Sequence, residues 1–257
     1  MTTAAQGRDR PRRADRNDLT IYDSAADAWW DGSKRWVRTL ANMVPARLRQ
    51  FEREIEGGSD GWRNRRVLDL GCAGGFMAEA IAAKGGRVTG IDPAADAIAA
   101  ARAHAAEGGL DIRYDVGVGE ALPYPDDQFD LVVCVDVLEH VESVPQTLAE
   151  VARVLRPGGM FCFDTINRTI AARLAVIIMA EDVLGLLPKG THDPALFIKP
   201  AELRQLLATA GFRPGRFRGL GPAGLNQRFD FTFAILPFTG IVYIGTARLA
   251  GGEAEAS

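Results

Sequence analysis

Residues 66–92 read RVLDLGCAGGFMAEAIAAKGGRVTGID. A β-branched and leucine run at 66–70 stops at a glycine-rich turn, an alanine-rich helical stretch follows at 76–84, and a second β-branched run at 87–91 closes the unit. Strand, turn, helix and strand in this order are the sequence form of two parallel strands joined by a crossover helix. Outward from this unit the alternation continues. Residues 94–106 read as an alanine-rich helix, 111–114 as a weaker third strand, and 130–135 (DLVVCV) as a fourth, whose unbroken apolar run suits a strand covered on both faces. A helix at 144–155 stops at Pro157-Gly158-Gly159, and a fifth strand follows at 160–164. The expectation is an α/β fold, a doubly wound sheet of about seven strands with an antiparallel last strand. Residues 200–210 read as a further short helix, and 229–235 and 241–249 as an antiparallel pair joined through Pro237 and Gly240.

The chain has 257 residues with a formal net charge of -3, 47% hydrophobic and 25% charged. This balance is ordinary for a folded domain and supplies no basic field for nucleic acid. Cys72, Cys134 and Cys162 are odd in number and widely spaced, which excludes a disulfide framework or structural zinc site as the organising device. The arginine-rich start (1–18) lacks the apolar core of a signal peptide and reads as a disordered arm, either a solvated tail or a tether to a polyanion. The expected organisation is one domain over 19–250 with N-terminal helices at 19–60, a helical lid insert at 166–199 and a frayed tail at 251–257. Within the insert, residues 170–187 (IAARLAVIIMAEDVLGLL) are mostly apolar but interrupted by Arg173, Glu181 and Asp182, so a membrane-crossing helix is not expected. The stretch reads as an amphipathic helix, which either covers the sheet or caps a lipophilic ligand and touches a membrane surface.

The turn VLDLGCAGG (67–75) carries Asp69, Gly71, Ala73 and Gly75 as an acidic position and three small ones. Small residues let the backbone approach a ligand at the carboxyl end of a strand, where open α/β sheets bind. Such a loop alone would also suit a dinucleotide. Asp92, 21 residues beyond Gly71, is spaced to accept hydrogen bonds from both hydroxyls of a ribose. Asp69 has no place in the dinucleotide fingerprint and suits a ligand bearing an ammonium and a sulfonium, which is S-adenosylmethionine.

From residue 62 to 163 these motifs resemble, in order, those of the class I, Rossmann-like methyltransferases. GEALPYP (119–125) is similar to their adenine-side loop and LRPGG (155–159) to the turn before their fifth strand. Ala73 stands for the usual middle glycine, and Val118 for an acid that many members place on the adenine amino group. The resemblance implies cofactor contacts at Asp69, Gly71, Cys72, Ala73, Gly75, Asp92, Pro93, Gly119, Glu120 and Val135. DTINRT (164–169), PKGTHD (188–193) and FIKPAEL (197–203) narrow the likeness to the O-methyltransferases of ubiquinone biosynthesis. YDSAADAWWD (22–31) and IVYIGT (241–246) match that family more loosely, and Asn42 lies where it commonly has an arginine near the cofactor.

For activation of an acceptor hydroxyl, Asp136, Glu139 and His140 in CVDVLEHV fall at i, i+3 and i+4, a spacing that one helical turn would bring to one face. His140 could take a phenol proton as a base, or the three could hold a divalent cation, Mg or Zn; the resemblance implies the cation. The alternative is a helix cap with a buried histidine. His192 reads first as a hydrogen-bonded lid residue, His104 as surface, Cys72 as packing, and Trp29, Trp30 and Trp36 as packing or an aromatic wall over a substrate. The resemblance implies an enzyme, an S-adenosylmethionine-dependent O-methyltransferase acting on a lipophilic catechol or quinol, cytoplasmic or peripheral at the inner face of the membrane, monomer or homodimer. The readings beside it are an O- or N-methyltransferase of another small molecule and a cofactor-binding module without turnover.

Overall fold

The computed structural model describes Tyr22, residues 28–187 and residues 190–251. The arm expected at 1–18, Pro188, Lys189 and most of the tail lie outside the described residues. Five parallel strands form one half of the sheet: β1 (Arg66–Leu70), β2 (Arg87–Asp92), β3 (Arg113–Val116), β4 (Phe129–Cys134) and β5 (Leu155–Ile166). The crossovers are α2 (Phe76–Ala82), α3 (Ala95–Glu107) and α4 (Val144–Val154), preceded by α1 (Arg35–Glu54) and followed by α5 (Ile170–Ala172) and α6 (Pro200–Thr209). Helix boundaries follow local chemistry: the Ser143 side chain accepts the Gln146 N–H and Pro145 sits in the first turn of α4, while Gly75, in the left-handed region, opens α2.

The period of two along β1 explains why helices cover both faces. Val67 joins a core with Ile81, Ile98 and Phe51 of α2, α3 and α1, whereas Leu68 and Leu70 join a second core with Leu148 of α4 and Leu203 of α6. All of these are buried. The strand order β3-β2-β1-β4-β5 reverses between β1 and β4. There the adjacent crossovers leave to opposite faces, and a crevice opens at the strand ends.

The other half corrects the sequence reading. The sheet has nine strands rather than about seven, with β6 (Phe212–Pro214), β7 (Arg218–Leu225), β8 (Phe231–Leu236) and β9 (Val242–Leu249) added to the five. β9 runs antiparallel to β5, as expected of the last strand. It does not pair with β8. β7 lies between them, antiparallel to both. Its sequence, RGLGPAGL, has too many glycines to show a strand pattern, and it is held by neighbours on both sides. Pro157-Gly158-Gly159 does not separate α4 from a later strand: β5 starts directly at Leu155, and its register on β4 shifts between Phe129 and Leu131.

The insert also departs from expectation. After α5, residues Arg173–Val183 form a π-helix of 11 residues, far longer than the single-turn bulge in which this geometry usually occurs. Widening the helix removes the i, i+4 alignment that an amphipathic α-helix needs. Leu174, Ile178, Met179 and Val183 are exposed while Glu181 is buried, the reverse of ordinary amphipathicity. No helix among the described residues is long and apolar enough to cross a membrane.

Candidate active site

A cavity of about 410 Å³ occupies the crevice at the β1/β4 reversal. The turn after β1 supplies Gly71, Cys72 and Ala73, the end of β2 supplies Asp92 and Pro93, and Asp69 lies at the base. Val118, Gly119 and Glu120 form the side beyond β3, and Val135, Asp136 and His140 the side beyond β4. Tyr22, Trp29 and Arg47 come from the N-terminal segment. Gly71 has φ 74, and a Cβ there would lie 2.1 Å from Val137 Cγ2, so both conformation and close approach require glycine. Gly75 does not line the cavity: a Cβ on it would meet the Tyr114 hydroxyl at 2.5 Å, so its smallness serves packing under the loop. Glu139 is the other expected residue absent from the cavity wall.

The polar groups are arranged by the loop itself. Asp92 accepts the Ala73 N–H and the Ala94 N–H, each at 2.9 Å, and so fastens the turn after β1 to the end of β2. Ala73 stands at φ 43, a conformation its methyl disfavours by about 1–2 kcal/mol, and the bond to Asp92 helps to hold it there. Asp69 is buried, and neither of its oxygens makes a well-formed hydrogen bond among the described residues. Burial raises its pKa to about 7, outweighing the Ala78 amide, which favours the carboxylate. A buried carboxylate left in that condition is suited to a cationic ligand. Glu120 is partly committed elsewhere, since it accepts the Glu142 and Ser143 N–H groups ahead of α4.

Arg47 was not singled out by sequence. Its guanidinium spans Asp164, through Nε at 2.6 Å and Nη2 at 3.3 Å, and Asp136, through Nη2. Burial opposes its charge, but the two carboxylates more than offset this and keep it protonated. Asn42, where the resembled family commonly has an arginine, does not line the cavity; Arg47 of the same helix does. A helical arginine in PARLR looks like a solvated face until the buried Asp164 is known to lie opposite.

Asp136, Glu139 and His140 are not brought to one side of a helix, because the segment after β4 is a non-helical turn. Asp136 has φ 54 and points to Arg47. Glu139 lies under the site, accepting the Thr165 hydroxyl at 2.7 Å, and burial raises its pKa to about 8. His140 faces a different partner, His192, at 5.1 Å between ring centroids. Burial, then His192, lowers the His140 pKa to about 3, so its ring is neutral. Donor atoms of Glu139, His140 and His192 all lie within 4.8 Å of one another. This carboxylate and two imidazoles fit the donor set of a divalent transition metal, with His192 in the place sequence gave to Asp136.

Among the tryptophans, Trp29 alone reaches the cavity, packed edge-on against Trp36 and Phe76. Its Nε1 is buried and has no hydrogen-bond partner among the described residues. Trp30 instead stacks on His104, whose ring centroid lies at 3.5 Å, and donates to the Gly74 carbonyl. His104 is therefore a packing residue that also bonds Glu79, not a simple surface group.

A family model described as a methyltransferase domain matches residues 68–163, the span from β1 to β5. The chain is 36% identical over 218 residues to the ubiquinone biosynthesis O-methyltransferase of Coxiella burnetii, covering 85% of this chain and 91% of that protein. It is 38% identical over 217 residues to the protein of that name from Alkalilimnicola ehrlichii, covering 84% and 86%. A Thermotoga maritima S-adenosylmethionine-dependent methyltransferase, described as a possible histamine N-methyltransferase, superposes with a TM-score of 0.62 at 16% identity, covering 90% of this chain and 98% of that one. An Aquifex aeolicus methyltransferase gives 0.59 at 16% identity, covering 91% and 99%. At these identities the structural likenesses speak for the fold alone.

Proposed function

From the premise that the chain belongs to the S-adenosylmethionine-dependent O-methyltransferases, in the family of the ubiquinone biosynthesis enzymes, we propose that it methylates a phenolic hydroxyl of a lipophilic catechol or quinol. The observation that carries this reading is one cavity lined by both a buried carboxylate, Asp69, without a well-formed hydrogen bond among the described residues and a neutral histidine, His140, beside an insert with exposed apolar side chains. S-adenosylmethionine, when bound, supplies an electrophilic methyl group. Asp69 offers charge to the amino end of that ligand, and Asp92, held in the cavity wall at the end of β2 by the Ala73 and Ala94 N–H groups, would accept from ribose hydroxyls. Trp29 and Tyr22 add aromatic surface to the cavity wall. Holding the acceptor oxygen in line with the methyl group supplies much of the rate by orientation alone. Glu139, His140 and His192 would hold a divalent cation, whose positive charge favours the ionised form of an acceptor hydroxyl.

Product analysis with methyl-labelled cofactor and a panel of catechols, quinols and amines tests the proposal. Label on a phenolic oxygen, with better turnover for a long-chain acceptor, is the expected result. Label on amines alone would sink it.

Cofactor binding should depend on pH through Asp69. A cationic ligand selects the ionised carboxylate, so binding should release about half a proton per ligand at pH 7 and weaken as pH falls through the Asp69 pKa of about 7. Between pH 8 and pH 6 the ionised fraction falls about tenfold, and calorimetry should show about a tenfold weaker Kd at pH 6. Asp69→Asn should bind more weakly and lose this dependence. An unchanged wild-type Kd across the range would remove Asp69 from the ammonium site.

The exposed apolar residues of the π-helix are proposed to meet a bilayer surface or the tail of the acceptor. Because Ile177 packs inward, Leu174 and Val183 are the informative positions. Leu174→Asp with Val183→Asp should abolish liposome flotation and slow turnover of a long-chain acceptor more than of a short one. Retention of both would make the helix simple cover for the sheet.

A further inference from the structure

The π-helix carries a buried charged side chain whose described contacts lead to the loop bearing His192. Glu181 is 6% exposed, and both of its oxygens are used by the loop at 190–192. Oε2 accepts the Gly190 N–H at 2.8 Å; Oε1 accepts the His192 N–H at 3.1 Å and bonds His192 Nδ1 at 2.8 Å. Both oxygens accept backbone N–H groups, an arrangement that favours a His192 ring donating from Nδ1 over one accepting there. The nitrogen left with a free lone pair is then Nε2. The His192 side chain is only 7% exposed, and its ring lies 5.1 Å from His140 and 6.4 Å from Phe197.

We infer that Glu181 is the positioning residue of the acceptor site: carried by the insert, it fixes the His192 ring in the Nδ1–H form and turns the other nitrogen toward Glu139 and His140. A carboxylate behind a histidine sets both the tautomer and the direction of the ring, and losing such a partner typically costs about 10–100-fold in activity or metal affinity. The physical consequence is a coupling. The same three bonds that tie the π-helix to the 190–192 loop complete the donor cluster, so the insert cannot move away without releasing His192. This also accounts for a buried acid in a mostly apolar helix, where an uncompensated charge would be costly. The inference rests on the proposed acceptor site only for its effect on turnover; the ring's tautomer is a property of the protein alone.

The chain has three histidines, so long-range 1H–15N correlation spectra of the histidine-labelled full chain can be assigned by single substitutions. His192 should show a protonated Nδ1 and an unprotonated Nε2, and Glu181→Gln should shift that ring toward the Nε2–H form. Glu181→Gln should lower kcat about 10–100-fold with cofactor Kd unchanged, and Glu181→Asp should recover part of the loss. In a His192→Gln background, adding Glu181→Gln should cost little more, because the two act through one ring. A wild-type His192 in the Nε2–H form would overturn the inference even if no phenol is ever found to be methylated. So would a Glu181→Gln penalty that is as large without His192 as with it. Glu181→Asp and His192→Gln keep the comparison available if Glu181→Gln folds poorly, with cofactor Kd as the check on folding.

Discussion

Arg47→Ala should destabilise the chain by about 3–5 kcal/mol, the cost of stranding one partner of a buried ion pair. Asp164 is 0% exposed, and without Arg47 its described donors reduce to the Asp136 N–H at 2.8 Å. A loss of this size is a large part of the about 5–15 kcal/mol by which domains are stable. Urea unfolding at pH 7 measures it as a fall in midpoint with little change in slope. The deficit should depend on pH in a defined direction. Burial pushes the Asp164 carboxyl up while Arg47 pulls it back, so removing Arg47 raises its folded-state pKa further. An acid raised above its unfolded value loses stability as pH rises between the two values, so the deficit should shrink toward pH 4 and grow toward pH 7. Asp164→Asn in the Arg47→Ala background should recover part of the loss, since it removes the buried charge. A deficit below about 1 kcal/mol, the range of exposed pairs, would show that this pair does not hold the N-terminal helix to the sheet.

His192→Ala and Glu139→Gln should each lower turnover by about 100-fold or more, and Asp136→Asn by less. The reason lies in proton affinity. A free phenol has a pKa of about 10, so about one molecule in a thousand is ionised at pH 7, a deficit of about 4 kcal/mol. His140, whose burial pulls its pKa down to about 3, is a poor base for that proton, with a mismatch on the order of 10 kcal/mol. The same burial that makes it a poor base keeps it neutral, the form that binds metals. A chelator should therefore abolish turnover, with Mg or Zn restoring it, and the His192→Ala protein should need more metal than Asp136→Asn. Full activity of wild type and His192→Ala under chelator would reject the cation and leave orientation as the main source of rate. Loss on His140→Ala alone, with chelator without effect, would return the role to a single base despite its low proton affinity.

Some of this was available from local pattern. The 66–92 unit, the turn after β1 and the placement of Asp69 and Asp92 at strand ends depend on residues near each other in sequence, and periodicity with turn chemistry carries that information. The weaker regions were those where neighbours decide. β7 is a strand because β8 and β9 flank it, and RGLGPAGL alone offers little sign of it. The i, i+3, i+4 spacing of Asp136, Glu139 and His140 suggested a helical face, but the left-handed backbone at Asp136 sends that residue to Arg47.

The amino-acid sequence by itself determined the parallel half of the sheet and the cofactor-side loop, because hydrophobic period, glycine turns and two aspartates act over a few residues. Tertiary structure alone decided which groups meet in the site. Arg47 and Asp164 are 117 residues apart, and His192 reaches Glu139 and His140 only because the insert folds back and Glu181 holds its loop. Such contacts are selected by packing and by the need to satisfy buried charge, and neither condition can be read until the chain around them has closed.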